Sequence, residues 1–193
     1  MSDSTSQLEE LRQFASKPPE AQEISKPLLA VLQSMRKYGV PQYEWSDLRP
    51  LVSRAMVDSI NQFRSSHVNS DPEPKPGVSF DDQKARLVSS LNAFDGAPFT
   101  LQRLCELILS PADHYNSTKK LLFGLEKLLS VSTTLEVASE TEIKDLDREN
   151  DEIRKKKIPV RDIEMKDAPP AEGETVSHQS TNVDMKDAPQ AQS

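Results

Sequence analysis

The chain has one cysteine, one tryptophan and five glycines among 193 residues, with no aromatic beyond Phe123 and no leucine beyond Leu146. A single cysteine excludes an internal disulfide and suits a reducing compartment. So few glycines, none of them clustered, leave no glycine-rich loop to cradle a phosphate. His67, His114 and His178 each stand alone. None lies at a metal-ligand spacing from Cys105 or from another histidine, so no metal or other cofactor is expected. No apolar run approaches the roughly 18 residues of a membrane-spanning helix, and the opening "MSDSTSQLEE" lacks the basic and apolar segments of a signal peptide. A basic excess is missing too. Net charge is −7, with 14 acidic against 9 basic residues over 138–193 and 17 against 15 before it. Phosphate neutralisation needs the opposite balance, so direct nucleic-acid binding is not expected. A soluble protein of the cytosol or nucleus follows as the expectation.

The aromatics and leucines that are present locate the fold. Hydrophobic residues make up 35% of the chain, below the usual globular share. A segment without large apolar groups cannot offset the entropy of ordering its backbone. The division expected is a helical domain over 1–137 and a disordered acidic tail over 138–193.

Every strong periodicity in the first part is helical. "STSQLEELRQFAS" places Leu8, Leu11 and Ala15 on one face and ends before Pro18 and Pro19. In "SKPLLAVLQSMRKYG", Ser25 is a cap, Pro27 falls in the first turn, and Leu28, Val31, Leu32 and Met35 form the stripe. Gly39 suits the C′ position. "EWSDLRPLVSRAMVDSINQFRSS" repeats Leu48, Leu51, Val52, Ala55, Met56, Ile60 and Phe63, with Ser46 as the expected cap. A Pro-rich linker near 69–78 follows. "FDDQKARLVSSLNAFDG" is expected to open on Asp81, with Phe80 as a staple against Ala85, and to turn Leu87, Val88, Leu91 and Phe94 inward. In "PFTLQRLCELILSP", Thr100 is the expected cap and Phe99 a staple partner for Leu104. In "NSTKKLLFGLEKLLS", Leu121, Leu122, Leu125, Leu128 and Leu129 share a side. "VSTTLEV" is β-branched but shows no partner strand, and residues 138–162 hold too few apolar residues for a coiled coil. The fold class expected is all-α, about six amphipathic helices packed as antiparallel hairpins.

The fifth helix decides between catalysis and contact. Leu101, Leu104, Cys105, Leu107, Ile108 and Leu109 cover more than half of its circumference, which confines Gln102, Arg103 and Glu106 to one polar stripe, the candidate partner-binding residues of this helix. Cys105 reads as a small core residue; a pairing with His114 is the one catalytic alternative. The wide apolar arc means either a central core helix or a helix with surface left for a partner. On the sixth helix Phe123 projects among Lys119, Lys120 and Lys127, opposite the leucines, where an aromatic can anchor an acidic partner. The cluster "RKKKIPVR" at 154–161 fits a nuclear import signal or local charge balance. Two copies of Met-Lys-Asp-Ala-Pro, built on Met165, Lys166, Asp167 and Pro169 and on Met185, Lys186, Asp187 and Pro189, read as linear docking peptides or as an inert duplicated spacer.

"PFTLQRLCELILSP…HYNSTKKLLFGLEKLLSV" resembles the signature segment of the protein phosphatase 4 regulatory subunit 2 family. The match runs from Pro98 through Glu106, then takes in Pro111, Tyr115, Thr118, Lys120, Gly124, Glu126 and Lys127. It extends more weakly upstream to Gly39, Trp45 and Phe63, and covers roughly residues 25 to 135. Phe123 departs from it, at a position expected to be polar. The resemblance implies a non-catalytic subunit that binds the phosphatase 4 catalytic subunit and a regulatory subunit 3 type scaffold. The chemistry, metal-assisted phosphoester hydrolysis, belongs to the catalytic partner. It also implies roles in DNA-damage recovery, cell-cycle control and centrosome or microtubule organisation, in nucleus and cytoplasm. A helical adaptor or cytoskeletal protein without a phosphatase partner is the alternative.

Overall fold

The structure is a computed structural model that describes residues 2–67 and 79–156. The Pro-rich linker, both Met-Lys-Asp-Ala-Pro copies and the basic cluster beyond Lys156 lie outside the described residues, as does most of the segment expected to be a disordered tail.

The expected apolar stripes become the core of an all-α protein. Helices run over Ser2–Ser16 (α1), Lys26–Tyr38 (α2), Trp45–Ser66 (α3), Phe80–Asn92 (α4), Leu101–Leu109 (α5), Thr118–Leu128 (α6) and Glu140–Lys156 (α7). Helix α2 begins and ends as its sequence directs. Ser25 Oγ accepts from the amide of Leu28, Pro27 occupies the first turn, and Gly39 closes the helix at φ 76°, in the left-handed region. All four residues of its stripe are buried, as are all seven of the α3 stripe. Helix α3 starts at Trp45, so Pro50 lies inside it, where the missing N–H removes one bond to the preceding turn. Trp45 is itself buried, its indole N–H donating to the carbonyl of Phe94 at 3.1 Å. Neighbours in sequence pack together, α1 with α2, α3 with α4 and α5 with α6. The broadest contacts, α2 with α5 and α1 with α3, join elements distant in sequence and place α5 among α2, α3 and α6.

Several local expectations give way to other contacts. Ser79, not Asp81, caps α4, its hydroxyl accepting from the Asp81 amide. Phe80 turns to α3 instead of stapling Ala85: the Arg64 guanidinium lies 3.9 Å from its ring centroid. Helix α3 has Glu44 at its N-cap and no side-chain capping bond, so Ser46 does not cap it. Thr100 gives α5 no side-chain cap, because its hydroxyl donates instead to the Leu128 carbonyl at 2.7 Å. Phe99 does not staple Leu104. Its amide donates to the Thr133 carbonyl and its ring is 65% exposed, whereas Leu104 is wholly buried.

The extended segment without a visible partner does have one. Thr134–Leu135 (β2) pairs antiparallel with Ala97–Pro98 (β1), which Phe99 and Thr100 join to α5. Residues 140–156 form a helix within a compact unit that reaches Lys156, past the last residue of the expected helical domain. The expectation weighed apolar residues alone, and α7 is held mainly by polar contacts. Ser139 and Glu142 form a reciprocal capping box, with the Ser139 amide donating to Glu142 Oε2 at 2.7 Å and the Glu142 amide donating to Ser139 Oγ at 3.3 Å. The Ala138 amide donates to the Pro41 carbonyl at 2.9 Å. Asp147 then accepts from Lys37 Nζ at 2.6 Å and from the Tyr38 hydroxyl at 2.5 Å. Ile143 and Leu146 are half-buried beneath it.

Candidate partner-docking surface

Helix α5 presents its polar stripe because every other side of it is covered. Leu101, Leu104, Cys105, Leu107 and Ile108 are all buried and Leu109 packs partly against the core. The apolar arc is therefore filled within the fold except at Leu109, which is partly buried. The residues that remain accessible differ among themselves. Gln102 leans on α2, its Nε2 donating to the Arg36 carbonyl at 3.3 Å, and its side chain lies so close to Gly39 that a Cβ there would stand 3.2 Å from Oε1. Arg103 pairs with Glu106 at 2.6 Å, and the same Nη1 reaches to 3.4 Å of His114 Nε2. An exposed ion pair one turn apart contributes little to stability, so this one is free to be exchanged for an outside partner. Arg36 Nη1 donates to Ser110 Oγ at 3.1 Å, tying the end of α5 to α2.

Cys105 is not part of this surface. It is wholly buried, and burial, with Glu106 adding a smaller effect, pushes its thiol up to about 12. A nucleophilic cysteine needs the reverse shift. His114 is exposed and faces Arg103. The catalytic alternative loses both of its parts. Among the described residues no group of three His, Cys, Asp or Glu side chains is placed to hold a metal ion, and no helix is long and apolar enough to cross a membrane.

Helix α6 buries Thr118, Leu121, Leu122 and Leu125 and turns Phe123 outward, 58% exposed, as its phase required. Lys119, Lys120 and Lys127 are exposed beside it, and Lys127 Nζ lies 5.2 Å from the Phe123 ring centroid. The loop entering α6 is pressed onto the helix at Gly124, where an added Cβ would meet the Tyr115 hydroxyl at 2.3 Å. That contact explains a glycine in mid-helix, where it otherwise costs about 1 kcal/mol relative to alanine. Sequence patterning had no means of finding the exposed Phe99 or the α7 contact at Lys37 and Tyr38. Both depend on which chain segments meet in space.

These surfaces are two exposed, charged helix faces on a packed helical support. The family model PPP4R2 matches residues 7–192, and the chain belongs to that family. It is 33% identical over 121 residues to serine/threonine-protein phosphatase 4 regulatory subunit 2-A of Xenopus laevis, covering 61% of this chain and 30% of the relative. It is 34% identical over 107 residues to serine/threonine-protein phosphatase 4 regulatory subunit 2 of Homo sapiens, covering 54% of this chain and 26% of the relative. The Drosophila melanogaster protein of that name is 33% identical over 118 residues, covering 59% of this chain and 19% of the relative. The chain thus matches a third or less of each of these relatives, all named as regulatory and not as catalytic subunits. No solved structure matches.

Proposed function

We propose that this chain is a non-catalytic regulatory subunit of a PP2A-like serine/threonine protein phosphatase 4 complex. It binds the catalytic subunit and modulates its activity, targeting or assembly. The observation that carries the proposal is the family match over residues 7–192. The arrangement of the helices supports it: α5 and α6, which carry the segment resembling the family signature, have internal apolar faces and polar faces open to a partner. Gln102, Arg103 and Glu106 on α5, with Lys119, Lys120, Phe123 and Lys127 on the outer face of α6, are the residues proposed to meet the catalytic subunit. A regulatory subunit 3 type scaffold is the proposed third component, and the tail motifs at 165–169 and 185–189 are proposed to assist its recruitment or that of substrates. Work in the DNA-damage response, cell cycle and centrosome, in nucleus and cytoplasm, belongs to the same proposal.

Affinity purification of the full chain, followed by a phosphopeptide assay on the complex and on the isolated subunit, tests it. The expected result is a co-purified phosphatase catalytic subunit, activity in the complex and none in the pure chain. A complex without phosphatase activity would favour an adaptor or cytoskeletal protein instead. Activity in the pure chain that disappears in Cys105→Ala would restore the enzyme alternative.

A further inference from the structure

The outward arc of α6 sets an exposed aromatic among exposed lysines. At 3.6 residues per turn Phe123 lies roughly 200° around from the middle of the leucine stripe, so it points almost straight out. Lys119 stands one turn before it, Lys127 one turn after it, and Lys120 on its flank. Glu126 borders the arc beyond Lys119 and leaves the patch cationic. Neither Lys120 nor Lys127 enters an ion pair among the described residues. Lys127 instead lies over the Phe123 ring, holding an aromatic in place that has no internal partner to bury it. A cationic ring around an apolar centre thus stands on a chain whose net charge is −7.

We propose that this outer face of α6 docks an acidic polypeptide segment that carries an apolar side chain between its carboxylates. An apolar side chain laid on Phe123 would exclude water at the centre, and carboxylates on either side would meet the lysines at the rim, the arrangement in which an aromatic contributes most to binding. A nucleic acid fits less well, because its continuous phosphates would run beyond three lysines onto a mildly acidic domain. A membrane surface fits less well too, because one phenylalanine among polar neighbours lacks the broad apolar face that an interfacial helix buries. The inference deepens the regulatory-subunit proposal and rests on it for the setting in which the chain meets such a segment.

Selection of a random 16-residue peptide display library on the immobilised full chain reads the chemistry directly. The expected outcome is enrichment of peptides with two or more acidic residues flanking an apolar one. A selected peptide, labelled and titrated by fluorescence anisotropy, should bind Phe123→Ser about thirtyfold more weakly, the loss typical of a central aromatic anchor. Reversal of the rim in Lys120→Glu/Lys127→Glu should weaken it at least about tenfold, and the wild-type affinity should fall as salt rises. All three side chains are exposed, so thermal unfolding of the variants should match that of the wild type. Neutral or basic selected peptides would overturn the inference. So would peptides bound equally well by Phe123→Ser, or Phe123-dependent binding only to phosphatidylserine vesicles or single-stranded RNA. Co-purification of the phosphatase catalytic subunit, measured alongside, separates the two proposals. Its absence overturns the regulatory-subunit proposal and leaves the peptide result standing. Its presence with peptides that ignore Phe123 overturns the docking surface alone.

Discussion

Gly124→Ala sets two effects of opposite sign against each other at one position. In the interior of α6 alanine should gain about 1 kcal/mol over glycine from helix propensity. The structure places the new methyl 2.3 Å from the Tyr115 hydroxyl oxygen, 2.8 Å from Cζ and 3.3 Å from Cε2. A rigid ring cannot relieve three such contacts by bending its tip, so Tyr115 must swing away from the half-buried position where it packs on the core. Overpacking of this kind costs roughly 1–3 kcal/mol. Strain should win, giving a net loss of about 1 kcal/mol, or roughly 3 °C in Tm for a domain of this size. The decisive comparison is the same substitution in a Tyr115→Ala background. With the ring gone only the propensity gain remains, and Gly124→Ala should now stabilise by about 1 kcal/mol, a change of sign that a double-mutant cycle isolates. Urea unfolding followed by the fluorescence of Trp45, the one tryptophan and a buried one, reads both backgrounds. A stabilising Gly124→Ala in the wild type, or equal effects in both backgrounds, would refute the argument that Tyr115 dictates this glycine.

Three further outcomes are expected. Leu104→Ala, at a wholly buried position on the central helix, should cost about 2–5 kcal/mol in the same urea assay. Cys105 should react with a thiol reagent only after denaturation, because burial both covers the sulfur and holds its thiol protonated; rapid labelling of the native protein would contradict this. Asp147 titrates below the ordinary carboxylate range because Lys37, and then Tyr38, bond to its ionised form. Lys37 titrates above its ordinary range chiefly because of Asp147. The depressed carboxylate contributes stability that is present above its unfolded pKa of about 3.9 and lost as pH falls through the folded value. The raised ammonium contributes stability present below its unfolded pKa of about 10.4 and lost as pH rises through the folded one. Amide protection over residues 140–152 should therefore hold at neutral pH and fall in acid. Asp147→Asn should lower it at neutral pH, leaving the Glu142 cap as the remaining acid-sensitive contact.

Much of the fold was legible in the residues because burial follows periodicity. The stripe leucines of α2 and α3 recur at spacings of three and four and are removed from water, as are Leu121, Leu122, Leu125 and Leu129 of the α6 stripe, with Leu128 partly buried. Gly39 announced its own left-handed turn, since few other residues enter that region without strain. Phe123 announced its exposure by falling out of phase with its helix. The caps of α4 and α5 were less legible. A hydroxyl can serve its own helix or a neighbour, and Thr100 bonds to Leu128, 28 residues on, which no local pattern encodes.

The sequence by itself determined the all-helical class, the facing of most helices, the burial of Cys105 and the cationic setting of Phe123, because each follows from order along one element. Only the tertiary structure decided that the apolar arc of α5 is enclosed at all its positions but Leu109. It also decided that Phe99 faces outward, that two short strands close on each other across 36 residues, and that α7 is fastened to α2. Those outcomes depend on which distant groups come within bonding distance, and a carboxylate such as Asp147 carries no mark of its partner until the chain has folded.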